Sequence, residues 1–197
     1  MEVSFKNAKN IKNVVISDCM LTLDEFIAVS KFGAKVEFSP EMQEIVRANR
    51  RLLDKFLEEG RIIYGVTTGF GENVRYTISP EDASTLQENI VRTHAVAVGD
   101  PLTPVQARAI MLQTILNAGK GHSGIRLETL ELIRNMLNLD LIPYAPSEGS
   151  VGYLGVEAHL AMAYIGEGKI FENGAPAPAA EMLKKNGLSP IKLGCKE

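Results

Sequence analysis

Three short stretches of the chain carry side chains able to do chemistry. The first is Tyr64-Gly65-Val66-Thr67-Thr68-Gly69-Phe70-Gly71, where a phenol heads a loop whose three glycines allow it to fold tightly over a ligand and reopen. Without its flanks, Tyr64 after Arg61-Ile62-Ile63 reads only as a half-buried tyrosine. The second is Thr93-His94, where an imidazole can orient or polarise a bound ring or simply sit as a cation at a helix C-terminus. The third is the glycine-punctuated run Gly149-Ser150-Val151-Gly152-Tyr153-Leu154-Gly155. Other candidates carry less. Gly119-Lys120-Gly121-His122-Ser123-Gly124 lacks the spacing of a phosphate loop and no strand leads into it. His122 and His159 are scattered from His94, His159 reads as a packed helix residue, and no metal site is expected.

The elements that must position these stretches are mostly helices. Ser39-Pro40 and Ser79-Pro80 are start signals, and Thr103-Pro104-Val105-Gln106 adds a capping box. Met42, Ile45, Val46, Leu52, Leu53 and Phe56 follow one helical face until Gly60, and Leu86, Ile90 and Val91 lead toward His94. Further helices are expected over 127–137, 154–166 and 179–185, with Asn173 to Pro178 as an exposed loop. Before them Val14-Val15-Ile16 reads as a strand, Thr22 caps a short helix, and Ala34 to Phe38 alternates with period two. The expected architecture is mainly α, with a small mixed α/β subdomain over 1–38 and a helical part over 39–197.

Composition narrows the function classes. With 197 residues, 45% hydrophobic content and a formal charge of -3, the chain can bury a sizeable core. Its 21 basic residues are dispersed among 24 acidic ones, so no basic stripe suggests nucleic acid as a partner. Cys19 and Cys195 lack disulfide-framework or zinc spacing, Met1 to Lys6 opens no leader, and no run is long enough to span a membrane. A cytoplasmic setting is expected.

Together with Thr93 to Leu102, these motifs resemble the aromatic amino acid ammonia-lyases, and the histidine ammonia-lyases most closely. The resemblance implies elimination of ammonia from L-histidine to give urocanate. Such a reaction removes a weakly acidic β-proton and expels a poor leaving group, which calls for a positioned base and an electrophile. By resemblance Tyr64 is the base, Gly71 lies in the loop over the substrate, and His94 lies near the substrate's imidazole. In the family Gly-Ser-Val-Gly is followed by Ala-Ser-Gly, which cyclises to methylidene-imidazolone. Here Tyr153 follows Gly152. With three residues absent at that point, Leu154, Ala158 and His159 regain the family pattern, so Gly149, Ser150, Gly152, Tyr153 and Leu154 flank an electrophile whose precursor is missing. A modified group left out of a one-letter sequence would produce the same gap, and both readings stand. Tyr153 replaces a family Asp, and Leu116 falls where the family has Asn.

Family enzymes are more than twice this long, so the match is to their N-terminal part. The resemblance implies a histidine substrate if the chain is active, and either a homo-oligomer or a separate C-terminal half. The isolated chain is expected to be inactive. The alternative is a non-catalytic pseudoenzyme or one subunit of a split lyase.

Overall fold

The alternation at the start of the chain produces two strands and the crossover they require. The computed structural model describes residues 7–17 and 20–197, so the readings made on Met1 to Lys6 and on Cys19 lie outside the described residues. β1 (Asn13–Ile16) and β2 (Lys35–Phe38) each bury every second residue and pair in parallel, Val14 opposite Val36 and Ile16 opposite Phe38. Parallel strands need a crossover, supplied by α1 (Leu23–Phe32). Its start is fixed reciprocally: Glu25 N donates to Thr22 Oγ1 at 3.3 Å while Thr22 N donates to the Glu25 carboxylate at 2.8 Å. Gly33, at φ +70°, ends it in the left-handed region.

Six further helices follow at the expected places. α2 (Pro40–Glu58) and α3 (Pro80–His94) begin where Ser39 Oγ and Ser79 Oγ accept from Met42 N and Asp82 N, at 3.2 and 3.1 Å. α4 (Pro104–Ala118) has the Thr103–Gln106 capping box. α5 (Leu127–Asn138), α6 (Gly155–Tyr164) and the short α7 (Ala179–Lys185) complete a mainly helical chain. Met111, Leu112 and Ile115 of α4 and Leu130, Ile133 and Met136 of α5 are fully buried at the centre of one apolar cluster running from Ala8 to Leu183.

Two polar devices tie β2 and α1 to this centre. Asn138, the last residue of α5, accepts from Val36 N at 2.8 Å and donates to Val36 O at 2.9 Å, imitating a third strand on the open edge of β2. Buried Arg108 on α4 donates from Nε and Nη2 to Val29 O at 3.0 and 2.9 Å, and from Nη1 to Leu137 O at 3.1 Å. One cation thus satisfies carbonyls in the last turns of α1 and α5, where both helix dipoles favour positive charge.

The structure corrects the reading of Asn173 to Pro178 as a loop. Ala175–Pro178 is a strand, β6, paired antiparallel with β5 (Lys169–Glu172) across Asn173-Gly174. Both turn residues have positive φ, 52° and 81°, which is the hairpin geometry Asn-Gly favours. A second antiparallel pair joins β3 (Val98–Pro101) to β4 (Pro146–Glu148). This pairing brings the segment after His94 to the segment before Gly149.

Candidate functional site

The loop between α2 and α3 closes on itself before it meets anything else. Ile78 N donates to Thr67 O at 2.8 Å and Gly69 N to Tyr76 O at 3.1 Å, so residues 67–69 and 76–78 form the neck. At its head, Gly65 has φ +66° and leaves no room for a side chain, because an added Cβ would lie 2.6 Å from Phe70 Cε1. The Phe70 ring meets Tyr64 edge-on, with centroids 5.8 Å apart and an interplanar angle of 80°. Gly71 N donates to the Tyr64 hydroxyl at 3.0 Å. Tyr64 is therefore held from two sides while its side chain stays 59% exposed.

His94 ends α3. Its Nδ1 lies 2.8 Å from Ile90 O. A carbonyl only accepts, so this bond places the proton on Nδ1 and leaves Nε2 as the acceptor of the neutral ring. Arg92 anchors this helix end, donating from Nε to Glu167 Oε2 at 2.8 Å, from Nη2 to Glu88 at 3.1 Å and from Nη1 to Asn89 Oδ1 at 3.0 Å. The hydrogen bond from Arg92 holds the Glu167 carboxyl below the ordinary carboxylate value.

Residues 149–155 form a closed turn beside His94. Gly155 N donates to Ser150 O at 3.0 Å, Leu154 N to Val151 O at 3.1 Å, and Tyr153 N to Ser150 Oγ at 3.2 Å. Gly149 is packed so closely that an added Cβ would lie 2.9 Å from Ala97 Cβ, whereas at Gly152 it would meet open space. Leu154 takes a left-handed φ of 54° to launch α6. The Tyr153 ring lies 6.4 Å from the His94 ring at 43°, and a Cβ on Gly155 would lie 3.5 Å from His94 O.

A cavity of about 530 Å³ lies between the closed loop and α3, walled by Gly69, Phe70, Ile78, Leu86, Ile90 and His94. The structure thus brings the glycine loop and His94 to one space, and Tyr153 to His94. Tyr64 itself does not line that space: Phe70, which packs on it, forms part of the wall, and the phenol and amide that do line it belong to Tyr76 and Asn73. A half-open, mostly apolar cavity with an imidazole in its wall suits the binding of a ligand that carries a ring.

The other histidines stand apart. His122 lines a different groove with Asn49 and Gly124. Half-buried His159 has no partner for Nε2 among the described residues, and burial pushes its imidazole down, against a bond with the Ala97 backbone that raises it. Among the described residues, no group of three or more His, Cys, Asp or Glu could hold a metal ion. Sequence reasoning placed Leu86 and Ile90 on the helix face leading to His94 without marking them as cavity walls. Their spacing of four toward His94 was the available signal. Ile78 had none, because its place in the wall depends on the loop neck.

Known proteins resemble the chain in sequence and in fold. A family model described as aromatic amino acid lyase matches residues 21–197. Histidine ammonia-lyase of Streptococcus sanguinis is 43% identical over 180 residues, covering 90% of this chain and 35% of that protein. The structure of histidine ammonia-lyase from Trypanosoma cruzi is 37% identical with a TM-score of 0.86, over 94% of this chain and 37% of that one. Ergothionase from Treponema denticola, an ergothioneine-degrading enzyme, is 29% identical with a TM-score of 0.89, over 93% and 37%. The chain thus spans about a third of the length of the curated relatives it matches.

Proposed function

Because the chain belongs to the aromatic amino acid lyase family, we propose that it carries the N-terminal share of a histidine ammonia-lyase site, one that eliminates ammonia from L-histidine to give urocanate. The observation that carries this reading is the convergence of the Tyr64 loop and His94 on one cavity. In it Tyr64 acts as the phenolate, its oxygen taking the β-proton to become the phenol, and the Gly71 N–H that donates to this oxygen favours the anionic form before the transfer. His94 Nε2 accepts from the imidazole of the substrate, and Gly71 belongs to the loop that closes over it.

The residues present do not fit the methylidene-imidazolone that the family uses. No Ala-Ser-Gly follows Gly152, and the turn that stands there is closed by Gly155 N on Ser150 O. Gly149, Ser150, Gly152, Tyr153 and Leu154 are the flank of that missing group. The isolated chain is accordingly inactive in this reading, because nothing captures the substrate and helps expel its amine. The same turn favours, for the chain alone, a non-catalytic lyase-fold protein or one half of a split lyase. Its partners would be further copies or a C-terminal half, in a cytoplasmic setting. Among the described residues no helix is long and apolar enough to cross a membrane.

The test is direct. Purified chain is incubated with L-histidine, urocanate is followed by absorbance, and the intact mass is measured. The expected result is no urocanate, no near-ultraviolet chromophore and the 21.5 kDa of the sequence. Turnover abolished by Tyr64→Phe, with a mass larger by Ala-Ser-Gly less two waters, would show an electrophile in place and overturn the inactive reading.

A further inference from the structure

Arg108 is also part of a cavity that shares no lining residue with the one beside His94. This space, of about 430 Å³, lies among Lys31, Gly33, Lys35, Arg108 and Asp140. Three of these side chains are cationic and one is a carboxylate, in a chain whose formal charge is -3.

Arg108 has five N–H donors. Four are used: Nε and one Nη2 hydrogen on Val29 O, and the two Nη1 hydrogens on Leu137 O and on Asp140 Oδ1 at 2.8 Å. The fifth, on Nη2, has no acceptor among the described residues. Nη2 sits 4.0 Å from where a Cβ on Gly33 would stand, so its neighbour is a glycine in the cavity wall. The guanidinium is 7% exposed, while the side chain of Asp140, its counter-ion, is 81% exposed. Burial pulls the Arg108 guanidinium down and Asp140 offsets part of that. A buried cation with an unused donor and a counter-ion that stands mostly in water is under-compensated. Lys31 and Lys35 are exposed at the same rim, with the Lys31 Nζ 5.9 Å from the Phe32 ring and the Lys35 Nζ donating to Asn138 O.

The geometry points to a binding site for a small tetrahedral oxyanion of the phosphate class, with the Nη2 hydrogen of Arg108 and the ammonium groups of Lys31 and Lys35 as its donors. Charge-assisted bonds from guanidinium and ammonium suit such an ion, and the glycine at position 33 allows it to approach closely. The cavity exceeds a bare oxyanion, so the same chemistry reaches the site either as inorganic phosphate or as the phosphoryl group of a small monoester. This site is separate from the lyase reading and does not depend on it.

The test is titration of the folded chain with inorganic phosphate and, separately, with glycerol phosphate, at ionic strength matched with chloride. Binding is followed by the backbone amide resonances of Gly33 and Lys35. The expected result is a saturable shift with either ligand. The double variant Lys31→Gln, Lys35→Gln, which keeps Arg108 and its bonds to Val29 O and Leu137 O, should weaken binding about tenfold or more. Equal affinity for the two ligands would show a site that reads the oxyanion alone, and tighter monoester binding a site that also uses the remaining space. Either supports the proposal. Shifts no larger than those with chloride, or an affinity unchanged in the double variant, would overturn it.

Discussion

Replacing Gly65 by alanine separates two costs that the structure assigns to this loop. At φ +66° an L-residue enters the left-handed region, which costs about 1–2 kcal/mol. Gly60 provides the control, since it has φ +65° and nothing within 4 Å of an added Cβ. Gly60→Ala should therefore report the backbone cost alone. At Gly65 the new Cβ would also lie 2.6 Å from Phe70 Cε1, inside any real carbon contact. The Phe70 ring is 40% exposed and can swing outward, but doing so breaks its edge-on contact with Tyr64, worth about 0.5–1.5 kcal/mol. Gly65→Ala should thus be destabilised by about 1 kcal/mol more than Gly60→Ala, and the excess should vanish when both are made on a Phe70→Ala background. Urea unfolding of the five variants, with a common slope, measures this. If the two alanines cost the same on the native background, Phe70 is not held against Gly65 and the closed-loop account of Tyr64 fails.

Other outcomes follow from features away from the loop. Arg108→Met should cost about 2–4 kcal/mol, because it strands Val29 O and Leu137 O at two buried helix ends, and denaturant titration would read it. A loss under 1 kcal/mol would mean that water replaces the guanidinium. At Glu197, burial pushes the carboxyl up, but bonds from the Arg126 side chain and backbone, Gly194 N and Thr129 Oγ1 outweigh it and hold it below 4.5. With the folded value depressed, its stabilisation is present above about pH 4.5 and is lost as pH falls through the folded value. Glu197→Gln should flatten the acid limb of a stability–pH curve, and an unchanged limb would remove Glu197 from the account. Val96, Val98, Val151 and Tyr153 are each at least 64% exposed beside His94. Sedimentation should therefore show self-association, or else a hydrophobic dye should bind, and a monomer that binds no dye would contradict an unfilled interface there.

Where local chemistry decides structure, the sequence was legible. Thr22, Ser39, Ser79 and Thr103 each announced a helix because the capping bond spans three residues. The run Val14-Val15-Ile16 and the alternation of Ala34 to Phe38 likewise marked both strands, though their parallel pairing was not legible in either. What stayed hidden depends on distant partners or on weak strand formers. β3 and β4 read Val-Gly-Asp-Pro and Pro-Ser-Glu, which no propensity scale favours, and they become strands by meeting each other. The Asn173-Gly174 turn did carry a hairpin signal, masked by the two prolines that follow it, both of which an edge strand accepts. In the site, motif order marked Tyr64 and His94. The wall between them depended on the folding of residues 67–78 into a neck.

The plug that Asn138 forms on β2 has a consequence for synthesis. β1, α1 and β2 are complete once Phe38 has been made, yet the open edge of β2 gains its partner only when Asn138 arrives, and the last turn of α1 gains Arg108 only slightly earlier. At a translation rate of about 5–20 residues per second, that interval is roughly 5–20 seconds. During it a nascent chain presents an unpaired strand edge with Val36 and Phe38 uncovered, a template for pairing with any neighbouring nascent chain. The window closes not at the ribosome's pace through the strands themselves but when one asparagine, a hundred residues downstream by rough count, clears the exit tunnel.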